Sequence, residues 1–256
     1  MPAVWCRFSL AWCLAELGDF AEADARIEEA IRIADVVDDA LGRVAAYLAI
    51  GFVGLRAGRP LESIDAGQRA LELCRNTNIV MLSPLVTFVL AAASTLADRA
   101  SAGVAMLQQA VHDAASVNFL VYQPLLLGAL SEAHLGAGRP SEARHHGQQA
   151  LRLARARRER GYEAWALRVL GEIAARQQPA DGATAERFYR DAIALGTELG
   201  MRPLVAQCRL GLGRHARASG DRSAAVTHFT EAAAMFAELR MRLWQEQAEQ
   251  ARADVS

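Results

Sequence analysis

The strongest constraint on this chain is a repeat with a period of 40 residues. The string Ala-Gly-Arg-Pro stands at 57–60 and again at 137–140. Counting by 40 from Gly18 brings Gly58, Asp98 and Gly138 into register. Gly220 joins if the fifth turn, around 177–182, holds two extra residues. A large-then-small pair keeps the same frame: Leu10-Ala11, Ile50-Gly51, Leu90-Ala91, Leu130-Ser131, Leu170-Gly171 and Leu212-Gly213. Twelve residues later, or fourteen in the fifth unit, comes another small residue: Ala23, Ser63, Gly103, Ala143, Ala185, Ala225. Seven further on stands alanine each time: Ala30, Ala70, Ala110, Ala150, Ala192, Ala232. Three columns in one register are a repeating structural unit, not a bias toward alanine.

Each unit reads as helix, tight turn, helix. Glycine supplies the turn, and Pro60 and Pro140 stand where a second helix begins, with Glu62 and Glu142 in its first turn. Small residues in fixed columns let paired helices approach closely. Aromatics are only 6% of the chain, and runs of Val, Ile or Thr are nearly absent, which favours helix over strand. The expected fold is all-α: a right-handed α-solenoid of six repeats plus a carboxy-terminal capping helix, forming one domain over 1–256. The repeats fall at 2–38, 39–78, 79–118, 119–160, 161–200 and 201–240, with the cap at 241–256. In the cap, Leu243, Trp244, Ala248, Ala251 and Val255 form one apolar stripe.

The Leu-small pair, the small residue twelve on and the alanine seven after it resemble the tetratricopeptide repeat family. The resemblance covers nearly the whole chain. Two departures stand out: the period is 40 rather than 34, and the family's proline near the end of the second helix is missing. The string ELGMRPLVAQCRLGLGRHARASGDRSAAVTHFTEAAAMF at 198–236 further resembles the carboxy-terminal repeat tails of bacterial signalling proteins with class III nucleotide cyclase and ATPase domains, and of ATPase-type transcription regulators. That resemblance implies a non-catalytic, cytoplasmic protein-interaction module, the regulatory or sensor part of a larger protein. Two other readings stand beside it. One is a stand-alone adaptor binding a peptide in its concave groove, and the other is a helical enzyme with scattered polar residues.

The residues themselves exclude much chemistry. All 28 basic residues are arginine, so no phosphate-loop or Schiff-base lysine exists. The sequence GLGRHA at 211–216 matches a degenerate dinucleotide fingerprint, but it falls at packing columns inside a helix. Only one E-x-x-H occurs, Glu142 to His145, where a di-iron bundle needs two. His145 and His146 are therefore expected on solvated helix surface, with His112, His134, His215 and His228 scattered. The arginine-rich run at 152–160 is expected to be a solvated face. Cys6, Cys13, Cys74 and Cys208 form no C-x-x-C pair and are expected as buried thiols. No catalytic residue, metal site or cofactor is expected. A net charge of −1 gives no global attraction to nucleic acid or to an anionic membrane. The uncharged run at 79–97 is expected as a repeat helix, because its Leu90-Ala91 pair keeps register.

In the resembled family the first helices line a concave groove. Carried over by register, this assigns Trp5, Leu85, Leu125 and Trp165 to one column, Phe8, Leu48, Phe88 and Arg168 to a second, and Trp12 and Phe52 to a third. The groove is expected to be open, apolar and aromatic in units one to three. Glu132, Arg168, Glu172 and Arg214, with the polar Gln207, make it charged in units four to six. The expected partner is a protein or peptide. The amino end, opening into Trp5, Phe8 and Trp12, lacks a cap, so self-association or an upstream domain is expected there.

Overall fold

The structure, a computed structural model, describes residues 2–97, 99–116, 118, 120–177 and 181–255. Asp98 and positions 178–180 of the fifth turn lie outside the described residues. Among the described residues there are thirteen α-helices and one short 3-10 turn. Six antiparallel pairs follow one another: α1 (Pro2–Leu17) with α2 (Phe20–Val37), α3 (Ala40–Ala57) with α4 (Pro60–Asn76), and α5 (Ser83–Leu96) with α6 (Ala100–Ser116). Then come α7 (Gln123–Gly136) with α8 (Pro140–Arg157), α9 (Arg160–Arg176) with α10 (Gly182–Glu198), and α11 (Arg202–Ala218) with α12 (Arg222–Glu238). A last helix, α13 (Arg242–Ala253), follows alone. The fold is an all-α superhelix of helix-turn-helix repeats.

The repeat columns are the contacts inside each pair. All six alanines of the Ala30 column are at most 1% exposed. Gly171 and Gly213 of the first helices face Tyr189 and Phe229 of their own second helices, while Gly51 faces Val89 of the next unit. A Cβ added to Gly213 would sit 2.6 Å from the Phe229 ring, so only glycine permits that approach. Where the small residue is serine, its hydroxyl bridges the pair: Ser63 donates to the Gly51 carbonyl at 3.0 Å, and Ser131 to the Ala143 carbonyl at 2.6 Å. The GLGRHA string lies within α11 at this packing surface.

A further column marks the turns between units. Asp38, Asn78, Asn118, Arg158, Gly200 and Arg240 all have left-handed backbones, with φ between 52° and 70°. They keep the same register, with the two-residue shift after unit four. At five of them the next residue's N–H reaches back to a carbonyl in the last turn of the second helix, as from Glu159 to Ala154 and from Met241 to Phe236. Two of these positions are arginine, a residue that enters the left-handed region only at a cost.

The superhelix comes round on itself. Leu17 and Gly18, ending α1, meet the start of α11 and the end of α12. A Cβ on Gly18 would lie 2.5 Å from Leu239 and 3.3 Å from Pro203. The turn at Gly58 likewise abuts Trp244 of α13. Ala248 and Ala251 of α13 and Val255 just beyond it are buried, and Trp244 stacks on Phe236 at 6.3 Å. The uncharged run at 79–97 contains α5. Helix α3 alone among the described helices has the length and hydropathy of a membrane span, and 67% of it is buried inside the superhelix.

Candidate ligand cavity

The aromatic half of the expected groove is not open. Phe8, Leu48, Phe52, Leu85 and Phe88 are each at most 2% exposed, and Trp5 and Trp12 are half-buried. The cause is an aromatic plug across the concave side. Trp12 lies 4.1 Å from Phe52, 5.8 Å from Tyr122 and 6.5 Å from Tyr162, ring to ring, and Phe52 continues to Phe88 at 5.3 Å. Tyr122 and Tyr162 come from the fourth and fifth units. The coil brings them over the first three units, where they cover what would otherwise be an exposed apolar strip.

What remains is a cavity of about 400 Å³ toward the charged half. Of the ten residues assigned to the groove, Phe88, Leu125, Trp165 and Arg168 line it, and Trp5, Phe8, Trp12, Leu48, Phe52 and Leu85 do not. Glu132, Glu172, Gln207 and Arg214, the charged half of the same columns, also face it.

Its chemistry is cationic and aromatic. Four arginines, Arg56, Arg168, Arg176 and Arg214, face two glutamates, Glu132 and Glu172. The Trp165 ring has the Arg56 guanidinium 4.1 Å and the Arg168 guanidinium 5.3 Å from its centroid. Arg168 pairs with Glu132, yet its buried Nε has no partner. Burial holds the Arg168 pKa below the usual guanidinium range. Glu172 accepts from the Tyr189 hydroxyl at 2.8 Å and pairs with Arg176 at 2.5 Å. Burial pushes the Glu172 carboxyl up, but Arg176, Arg214, Tyr189 and Arg168 more than offset it, so it stays ionised below the ordinary carboxylate range. Arg214 donates to the Gln247 amide oxygen at 2.9 Å and makes no ion pair within 4.0 Å among the described residues. Beneath them, burial pushes the Cys208 thiol up to about 12, an inert core group.

Two lining groups were missed from sequence for different reasons. Arg56 and Arg176 stand four residues after Phe52 and Glu172, so extending the inner face by one helical turn would have found them. Gln247 stands 40 residues after Gln207, so carrying the first column one unit further would have found it, whereas Trp244 lies outside the three columns.

Other expectations need correction. His146 is not on a solvated surface: it stacks on His134 at 5.3 Å, and His134 is 2% exposed. Twelve residues separate them, the same offset that joins the paired helices elsewhere. Cys74 and Cys208 are buried, but Cys6 and Cys13 are exposed. The arginine-rich run, by contrast, is solvent-exposed as expected, with several of its side chains also paired within the chain. Arg155 pairs with Glu163 at 2.7 Å, Arg160 with Glu198 at 2.6 Å, and Arg157 donates to the Leu120 carbonyl at 2.8 Å.

The fold is a tetratricopeptide-like helical repeat with a cavity on its concave side. No family model and no curated protein matches the sequence. Among solved structures, the chain resembles a Rap protein complexed with Competence and Sporulation Factor, with a TM-score of 0.70 at 12% identity. The alignment covers 99% of this chain and 74% of that one. The likeness is one of fold, and it is not specific to cyclase- or ATPase-linked tails.

Proposed function

We propose that this chain is a non-catalytic adaptor that binds a short, carboxylate-bearing peptide in its concave cavity. The observation that carries this reading is the excess of guanidinium over carboxylate groups on a partly enclosed wall, with Arg214 making no ion pair among the described residues. A guanidinium in a low-dielectric concavity attracts a carboxylate far more strongly than one on an open surface. Trp165, Trp244, Phe88 and Leu125 supply apolar contact beside it. The plug made by Trp12 and Tyr162 restricts the ligand to a compact segment rather than a strand running the length of the superhelix. The similarly coiled Rap chain, solved in complex with a factor, supports a binding role. A role as the sensor tail of a larger signalling protein rests on the 198–236 string alone, so the adaptor reading is preferred.

The test is selection from a random peptide library, followed by calorimetric titration of the enriched peptides. Acidic peptides should be enriched, and Arg214→Gln should weaken them at least about tenfold, the cost of one charge-assisted hydrogen bond. Enriched peptides that bind Arg214→Gln and Trp165→Ala like the wild type would remove the cavity as the site.

A further inference from the structure

The carboxylates around the cavity wall are held very differently. Glu16 accepts from Arg56 and from the indoles of Trp12 and Trp165, and Glu172 accepts from Tyr189 and pairs with Arg176. Both are deeply set, with side chains 18% and 15% exposed. Glu132 is the exception. Its side chain is 44% exposed, and Arg168 is its one ion-pair partner among the described residues. The Arg168 side chain is only 12% exposed. The guanidinium is thus fixed in the wall, and the carboxylate that meets it lies close to solvent.

The contact is also incomplete. Glu132 meets Nη2 of Arg168, and Nε of the same guanidinium is buried with no partner. A carboxylate set side-on to the fork satisfies Nε and Nη together, which is the stronger arrangement. There is room for Glu132 to leave. A helical side chain leans over the turn that precedes it, so Glu132 lies above the turn of Gly128. Gly128 lines the cavity, and a Cβ built on it meets no atom within 4 Å. It stands in the column that holds Phe88 in unit three and Arg168 in unit five, so glycine at this one place leaves the space open.

We propose that Glu132 is an internal stand-in for the ligand's carboxylate, holding Arg168 while the cavity is empty and giving it up to a carboxylate of the bound peptide. This rests on the cavity reading above. It adds a second anchoring guanidinium to Arg214, so the preferred peptide carries two carboxylates. The step is an exchange rather than a release. A buried guanidinium stripped of its counter-ion is strongly disfavoured, so Glu132 moves over Gly128 only as the incoming carboxylate arrives. The stand-in also weakens binding, because the apparent Kd rises as the fraction of chains with Arg168 available falls.

The experiment reads two quantities of opposite sign on the full chain. Peptides are selected from a random library against the wild type and against Glu132→Gln, and an enriched acidic peptide is titrated calorimetrically into each. Glu132→Gln should bind it about tenfold more tightly, although its ligand-free thermal melt falls because Arg168 loses its partner. A residue that only supports the fold would lower both. Gly128→Leu fills the space Glu132 moves into and suits a helix better than glycine, so it should keep the melt and weaken binding. Binding by Glu132→Gln no tighter than the wild type's overturns the exchange and leaves the cavity as the site, as does a Gly128→Leu chain that binds like the wild type. Selections that enrich no acidic peptide against either chain overturn the exchange together with the reading it rests on.

Discussion

The Glu16 carboxylate accepts the Trp165 indole N–H at 2.8 Å, across 149 residues of sequence. The same carboxylate accepts from Arg56 Nε at 2.7 Å and from the Trp12 indole at 3.1 Å. One side chain of the first helix thus holds a wall of the cavity contributed by the fifth unit. Glu16→Gln keeps the shape and removes the charge. It should destabilise the fold by about 1–3 kcal/mol, the cost of weakening charge-assisted bonds among largely buried groups. Denaturant melts measure the loss. Near-ultraviolet dichroism should report altered packing of Trp165 while helix content is kept.

Phe52 tests whether the aromatic plug is core. It is 1% exposed and touches Phe8, Trp12 and Phe88. Phe52→Ala should cost about 3–5 kcal/mol. Phe52→Glu, which buries an unpaired charge, should prevent folding. A soluble Phe52→Glu variant with a wild-type melt would show the groove to be open there.

Stability should fall with mild acid. Burial lowers the His134 pKa, opposed by Glu142 and reinforced by Arg139. Burial also lowers that of His146, reinforced by His134 and His145 and opposed by Gln149 and Glu142. A histidine depressed in the folded state is more protonated when unfolded. Its contribution to stability is full above the unfolded pKa of about 6.5 and is lost as pH falls below it. Thermal melts from pH 7.5 to 5.5 should therefore show a declining midpoint. His134→Phe should flatten that decline, and an unchanged slope would remove the pair as its cause.

The left-handed column offers a stability gain. Arg158 and Arg240 have φ of 58° and 57°, at the position held by Gly200 in unit five. Arg158→Gly and Arg240→Gly should each stabilise by up to about 1 kcal/mol, because glycine enters this region without strain. Chemical denaturation of the two single variants and the double variant checks both size and additivity.

The sequence carried local geometry well and closure poorly. Helix pairing was legible because Gly213 and the Ala30 column repeat at fixed distance, and close packing demands small side chains there. The left-handed column was legible at Asn78, Asn118 and Gly200 but masked by Arg158 and Arg240, which do not announce such a turn. Trp165, Arg168, Glu172 and Arg214, assigned to the inner face by register, line the cavity. The closure of that face at Phe52 was not foreseeable, because Tyr122 and Tyr162 come from units distant in sequence. How far a superhelix coils before it meets itself depends on small rotations summed over every unit.

The central claim is that ligand occupies the cavity between Trp165, Arg214 and Trp244. Photo-cross-linking tests it most directly, using a selected acidic peptide carrying a diazirine beside its carboxylate, with the adducts mapped by mass spectrometry. Adducts on α7, α9, α11 and α13, suppressed by excess unmodified peptide and by Arg214→Gln, are the predicted result. Adducts confined to the outward faces of the second helices, unaffected by Arg214→Gln, would contradict it.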